Sequence, residues 1–159
     1  MKPLPEPTAD TPSLPEIRQA LDLLTPLSER CFGTMTPAQM LRHNRRFMEL
    51  YLGEVRVGKG IRFVAGLVGP FFLKKVLSKS AMDTPKNLKT LPVLRAKEGE
   101  ELDFEAEKAE FTSLLTQVEG LTGELDHALY GSMDSRTAQN LVRHHTAHHF
   151  HQFGLLDPR

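Results

Sequence analysis

The chain has a single cysteine, Cys31, among its 159 residues. An internal disulfide is therefore excluded, and the composition fits a reducing, cytoplasmic setting. Cys31 therefore reads as a small, half-buried apolar residue and not as a nucleophile. Net charge is missing as well: 20 basic residues balance 20 acidic ones. No run of Lys and Arg is long enough to make a strongly positive face, and nucleic acid, whose binding rests on such a footprint, is not an expected partner. Long apolar runs are absent. The longest, "FVAGLVGPFFL" from Phe63 to Leu73, falls short of the roughly 18 residues that cross a bilayer, so no stable membrane insertion is expected. The opening "MKPLPEPTADTPSLP" lacks the apolar segment of a secretory signal. Its prolines predict an extended lead-in over residues 1–12, ahead of a single domain over residues 13–159.

Strand alternation is also nearly absent, and no segment repeats at a solenoid period. What the chain does carry is helical periodicity, in five segments. The first runs from Leu14 to about Leu24, with Pro15 near its start and Pro26 past its end. The second opens on "TPAQ", where Thr36 can cap, Pro37 suits the first helical position and Gln39 can close a capping box. It should reach Leu52, before Gly53. A third covers Ile61 to Leu77 and is expected as a packed or kinked core helix, with Lys74, Lys75 and Lys79 following the apolar run where cations suit a helix C-terminus. Contact with a membrane surface, or a dimer or partner interface through Phe63 to Leu73, is the alternative reading of that segment. A long irregular connection follows from Ser78 to Glu101; such connections are often functional, and it is expected over the bundle surface near the mouth of any site. The fourth helix spans Asp103 to about Val118, after which Gly120 and Gly123 break the pattern. The fifth, capped by Asp134, runs from Ser135 to about Phe153, before Gly154. Four substantial helices and a short accessory one predict an all-α fold, a four-helix bundle whose site is built from facing helices.

Candidate chemistry lies in "RHHTAHHFHQF", residues 143–153, which holds five of the seven histidines. At 100° per residue, Ala138, Leu141, Val142, Gln152 and Phe153 share one side of the last helix, with His145 and His149 in its middle. These two are one turn apart, so their rings can reach a single point. His148 sits at the edge of the stripe, and His144 and His151 are expected nearer solvent. On the second helix the inward stripe is Met40, His43, Phe47, Leu50 and Tyr51. Three histidines at core positions bring ring nitrogens that must be satisfied, and a shared divalent ion would satisfy one on each. The alternative is three ordinary core histidines bonded to nearby carbonyls. Zinc, nickel and iron all accept imidazole. A three-ligand zinc site leaves a position for water or substrate. Asn44, Glu49, Tyr51 and Asp126 are candidates for a general base, though each also fits a structural or surface role.

"FGTMTPAQMLRHN", "TPKNLKTLP", "DFEAEKAEF" and "HHTAHHFHQFG", in that order, resemble the DinB-like (YfiT-like) metalloenzyme superfamily, in particular its domain-of-unknown-function family 1569. The resemblance covers Cys31 to Gly154. It implies a DinB-like four-helix bundle with a divalent metal on three histidines, which fall here on His43, His145 and His149. Phe32 and Ala138 stand where many members carry Trp, which bears on pocket shape and leaves the ligands intact. Some relatives are metal-dependent transferases or isomerases that use a low-molecular-weight thiol. The resemblance therefore implies a thiol-dependent enzyme acting on a small molecule as the leading expectation. An open three-histidine ion could equally activate water for hydrolysis, or the bundle could bind metal without catalysis, and zinc or nickel is expected ahead of iron.

Overall fold

The structure, a computed structural model, describes residues 11–86, 90–97 and 99–157. The lead-in expected over residues 1–12 lies outside them except for its last two positions, and Asn87 to Lys89 of the long connection also fall outside.

Five α-helices and one short hairpin make up the described residues. Helix α1 (Leu14–Leu23) starts at a capping box in which the Ser13 hydroxyl and the Glu16 carboxylate each accept from the other residue's backbone N–H. Helix α2 (Pro37–Tyr51) repeats the device with Thr36 and Gln39, and Pro37 gives up a donor that the first turn leaves unpaired in any case. Helix α4 (Phe104–Glu119) is capped by Asp103 and α5 (Ser135–Gln152) by Asp134, whose carboxylate accepts from the Thr137 N–H at 2.7 Å. Gly53 and Gly154, which follow α2 and α5, take φ of 74° and 65°, the left-handed turn that ends a helix with least strain in glycine.

The core lies between α2, α4 and α5, with α1 closing one side through Ile17, Ala20 and Leu21. Met40, Leu41, Met48, Phe111, Leu115, Leu141 and Phe150 are buried there. Phe111 of α4 and Phe150 of α5 stack with ring centroids 6.0 Å apart. The 3.6-residue stripes account for this arrangement: each helix turns one apolar face inward and leaves its charges outside.

Two expectations need correction. Strands are present: β1 (Glu124–His127) pairs antiparallel with β2 (Gly131–Asp134), Leu125 opposite Met133, between α4 and α5. Each strand has four residues, too few for alternation to register in sequence. Helix α3 (Lys59–Leu77) is not a core helix. Only Gly69, Leu73 and Leu77 are buried, while Phe63, Leu67 and Phe71 are 71%, 71% and 78% exposed. Its contact is with the hairpin. Gly69 lies so close to the turn that a Cβ there would overlap the Leu129 carbonyl oxygen. Apolar residues all round a helix declare no inward stripe, so apolarity alone did not identify a buried face.

The described residues of the connection after α3 pack on the bundle, with Ala81 and Leu94 buried and a 3-10 turn at Pro92–Leu94. No helix among the described residues is long and apolar enough to cross a membrane.

Candidate metal centre

His43 stands two turns into α2, and His145 and His149 stand one turn apart on α5 where that helix faces α2. One nitrogen from each ring lies within 4.8 Å of the other two. The rings meet at centroid separations of 4.6 Å (His43 and His149), 4.7 Å (His145 and His149) and 4.9 Å (His43 and His145). Phe47, one turn beyond His43, stacks on His145 at 3.8 Å and fixes its plane.

The hydrogen bonds at the far side of each ring determine what the near side presents. His43 Nδ1 donates to the Leu94 carbonyl at 3.0 Å. His145 Nδ1 lies 3.1 Å from the Asn44 side-chain oxygen, and the Asn44 amide nitrogen donates to the Met40 carbonyl at 3.0 Å. Asn44 therefore turns an acceptor toward His145, and Nδ1 is the donor. His149 Nδ1 faces Gln152 Oε1 at 3.1 Å, and the Gln152 amide nitrogen donates to the Phe32 carbonyl at 2.9 Å. The same logic makes that Nδ1 a donor. All three imidazoles are thus held as the tautomer with the proton on Nδ1, which leaves three Nε2 lone pairs.

Two of those lone pairs belong to His43 and His145, whose Nε2 atoms are 3.1 Å apart. Facing acceptors at that distance repel unless a cation lies between them. A proton is disfavoured. Burial lowers the pKa of His43, although its bond to Leu94 opposes this, and holds those of His145 and His149 well below the usual imidazole value. For His145 and His149, the neighbouring rings add to the effect of burial. A divalent ion fits better: at zinc–nitrogen distances of about 2.0–2.1 Å, tetrahedral ligand nitrogens stand about 3.3 Å apart. The three-histidine cluster can hold a metal ion, and each ligand has the outer hydrogen-bond partner that such histidines use to set tautomer and orientation.

The cluster opens on a cavity of about 1250 Å³. Phe47, the α3 residues Ile61, Val64, Val68 and Phe72, and Leu91 and Leu94 of the connection form much of its wall, so the lining is mainly apolar. Thr84, Thr90 and Arg95 add polar groups from the connection. Among the described residues, no fourth imidazole, carboxylate or thiol joins the three ligands.

The other sequence candidates fall elsewhere. Asn44 is buried and orients His145. Glu49 is ion-paired with Arg45 and Arg46 at 3.5 and 3.6 Å, and burial raises its carboxyl pKa against the pull of those arginines. Tyr51 is buried, which pushes its hydroxyl well above the ordinary value. Asp126 is an exposed partner of Arg62 at 2.6 Å. None of Glu49, Tyr51 and Asp126 lines the cavity.

His144, expected near solvent, is buried, and its Nε2 donates to the Lys79 carbonyl at 3.1 Å. The long connection covers that face of α5, which helical angle alone could not reveal. His151 is half-buried against Phe32 and the Leu156 carbonyl. His148 reaches the cavity wall but is not one of the three clustered ligands. Cys31 is exposed and not half-buried. The sequence reading missed the orienting roles of Gln152 and Leu94 and the buried His127; Gln152 was legible as an inward residue, whereas a backbone carbonyl carries no sequence signature.

No family model, curated protein or solved structure matches the chain at a significant level.

Proposed function

We propose that the chain is a DinB-like metal-dependent enzyme that binds a divalent ion on His43, His145 and His149 and acts on a small molecule in the adjoining cavity. The carrying observation is the convergence of three Nε2 lone pairs, each fixed by a separate acceptor at Nδ1. An ion bound there, zinc or nickel in first place, supplies Lewis acidity at its remaining coordination positions. The cavity favours catalysis over a purely structural site, because a structural ion is normally closed off by a fourth protein ligand.

The chain's own residues set the substrate. Phe47, Val64, Val68 and Phe72 offer an apolar wall to the body of the molecule, and Arg95 can meet a carboxylate at the rim. A low-molecular-weight thiol, which carries such carboxylates, is the proposed co-substrate, and an apolar electrophile is its acceptor. Asn44 and Gln152 hold the imidazoles in place throughout.

Metal analysis of the purified chain should return one divalent ion per molecule, and the His43→Ala, His145→Ala and His149→Ala proteins should return none. The loaded protein should then consume a low-molecular-weight thiol in the presence of an apolar chloronitroarene faster than it hydrolyses an apolar ester. Ester hydrolysis without thiol consumption would replace transfer with hydrolysis. A full complement of metal with neither activity would assign a non-catalytic bundle.

A further inference from the structure

The segment from Val55 to Met82 contains Arg56, Lys59, Arg62, Lys74, Lys75 and Lys79 and no acidic residue. Its middle is the apolar run of α3, and although Gly69 and Leu73 are buried, the structure leaves the outer face of that run uncovered. Phe63, Leu67 and Phe71, at i, i+4 and i+8, form an outer stripe whose members are all more than two-thirds exposed. Val64, Val68 and Phe72, adjacent to that stripe around the helix, are each more than half exposed and face the cavity. The apolar surface is thus continuous from the outside of α3 to the cavity wall, with cations at both ends of the helix. A contiguous patch of this kind is rare on a protein that meets only water.

We propose that α3 docks the protein on an anionic lipid surface, lying in the plane of the interface with Phe63, Leu67 and Phe71 in the acyl boundary and Lys59, Lys74 and Lys75 on the headgroups. The run from Phe63 to Leu73 is too short to span a bilayer, so it lies on the surface. Charge decides between lipid and a second copy of the chain. A two-fold contact through α3 sets the cations of one helix against those of the other whether the helices run parallel or antiparallel, and the segment holds no carboxylate to offset them. Arg62 is paired with Asp126. Lys59, Lys74 and Lys75 have no ion pair among the described residues, and an anionic headgroup layer supplies the missing charge. Because the same helix walls the cavity, docking brings the cavity to the interface, where apolar molecules partition. This inference does not depend on the metal site.

Vesicle flotation of the full chain tests it. The protein should float with phosphatidylcholine vesicles that contain phosphatidylserine and remain behind with phosphatidylcholine alone, and added salt should release it. Lys74→Ala with Lys75→Ala should weaken partition about 30-fold, from about fivefold per cation. Phe63→Ser with Leu67→Ser and Phe71→Ser should abolish it. All five side chains are exposed, so helicity and thermal midpoint should be unchanged in both variants. Equal flotation with neutral vesicles, or flotation indifferent to the lysine pair, would overturn the proposal. So would a dimer in light scattering that the triple variant dissociates while no flotation is seen, which would assign the face to a second copy.

Discussion

Nε2 of His43 and Nε2 of His145 face each other at 3.1 Å across two helices, each with its proton held on the opposite nitrogen by a fixed acceptor. A cation between them would relieve the repulsion of the two lone pairs, and His149 offers a third nitrogen within 4.8 Å of theirs. Removing any one of the three should abolish metal retention. His144→Ala should behave differently: it deletes a buried hydrogen bond to Lys79 and should cost about 1–2 kcal/mol of stability, yet leave one ion per chain. Metal analysis and urea denaturation on the four variants separate the two effects. Loss of metal in His144→Ala with retention in His43→Ala would place the site on the wrong ring set.

The partners at Nδ1 should matter nearly as much as the ligands. Asn44→Ala removes the acceptor that sets the His145 tautomer while Phe47 still holds the ring plane, and Gln152→Ala removes the acceptor that sets the tautomer of His149. Each should lower metal affinity by about 10–100-fold while still allowing full occupancy at high metal concentration. Competition against a chromophoric chelator measures this directly. Affinity unchanged in both variants would mean that packing, with Phe47 against His145, orients the rings alone.

The parts of this site that were legible in the sequence are those carried by helical period and by caps. Thr36, Pro37 and Gln39 fix where α2 begins, Asp134 fixes α5, and from those starts the 100° rotation places His43, His145 and His149 inward. What the period cannot encode is the cover supplied by irregular chain. His144 is buried because residues after α3 lie on it, and His43 is oriented by the Leu94 backbone. The hairpin escaped for a different reason, since its four-residue strands pair through backbone groups and leave little pattern. Helix α3 misled because an apolar sequence specifies dislike of water but not the partner that relieves it.

Two glycines of α3 should respond oppositely to the same change. Gly66 has open space where a Cβ would go, so Gly66→Ala should gain up to about 1 kcal/mol from helix propensity. At Gly69 the added methyl would meet the Leu129 carbonyl oxygen and the Tyr130 backbone, which cannot move aside as a side-chain tip could. Gly69→Ala should therefore lose about 1–3 kcal/mol in the contact between α3 and the hairpin. Amide exchange in α3 should quicken in Gly69→Ala and slow in Gly66→Ala. Identical exchange in the two proteins would show that this close approach is not what holds α3.

His127 should make folding sensitive to acid. Its Nδ1 accepts from the Leu129 and Tyr130 N–H groups at 3.1 and 3.2 Å, so the neutral ring carries its proton on Nε2. The ring is buried, 4.3 Å from Tyr51 and 4.9 Å from Tyr130 between centroids. Burial lowers its pKa to about 4, against a smaller opposing effect of Asp126. Above pH 6.5 the ring is neutral in both the folded and unfolded chain, and it adds nothing to the pH dependence. Between 6.5 and about 4 the unfolded chain takes up a proton that the folded chain refuses, so stability falls as the pH falls through that window. The full loss is on the order of 3 kcal/mol, of which roughly half should already be gone at about pH 5. His127→Asn keeps an acceptor for the two N–H groups and cannot be protonated there. Urea midpoints at neutral pH and at about pH 5 should therefore differ less in His127→Asn than in the unaltered chain, with the other buried histidines contributing equally to both. Equal slopes with pH in the two proteins would remove His127 as the source.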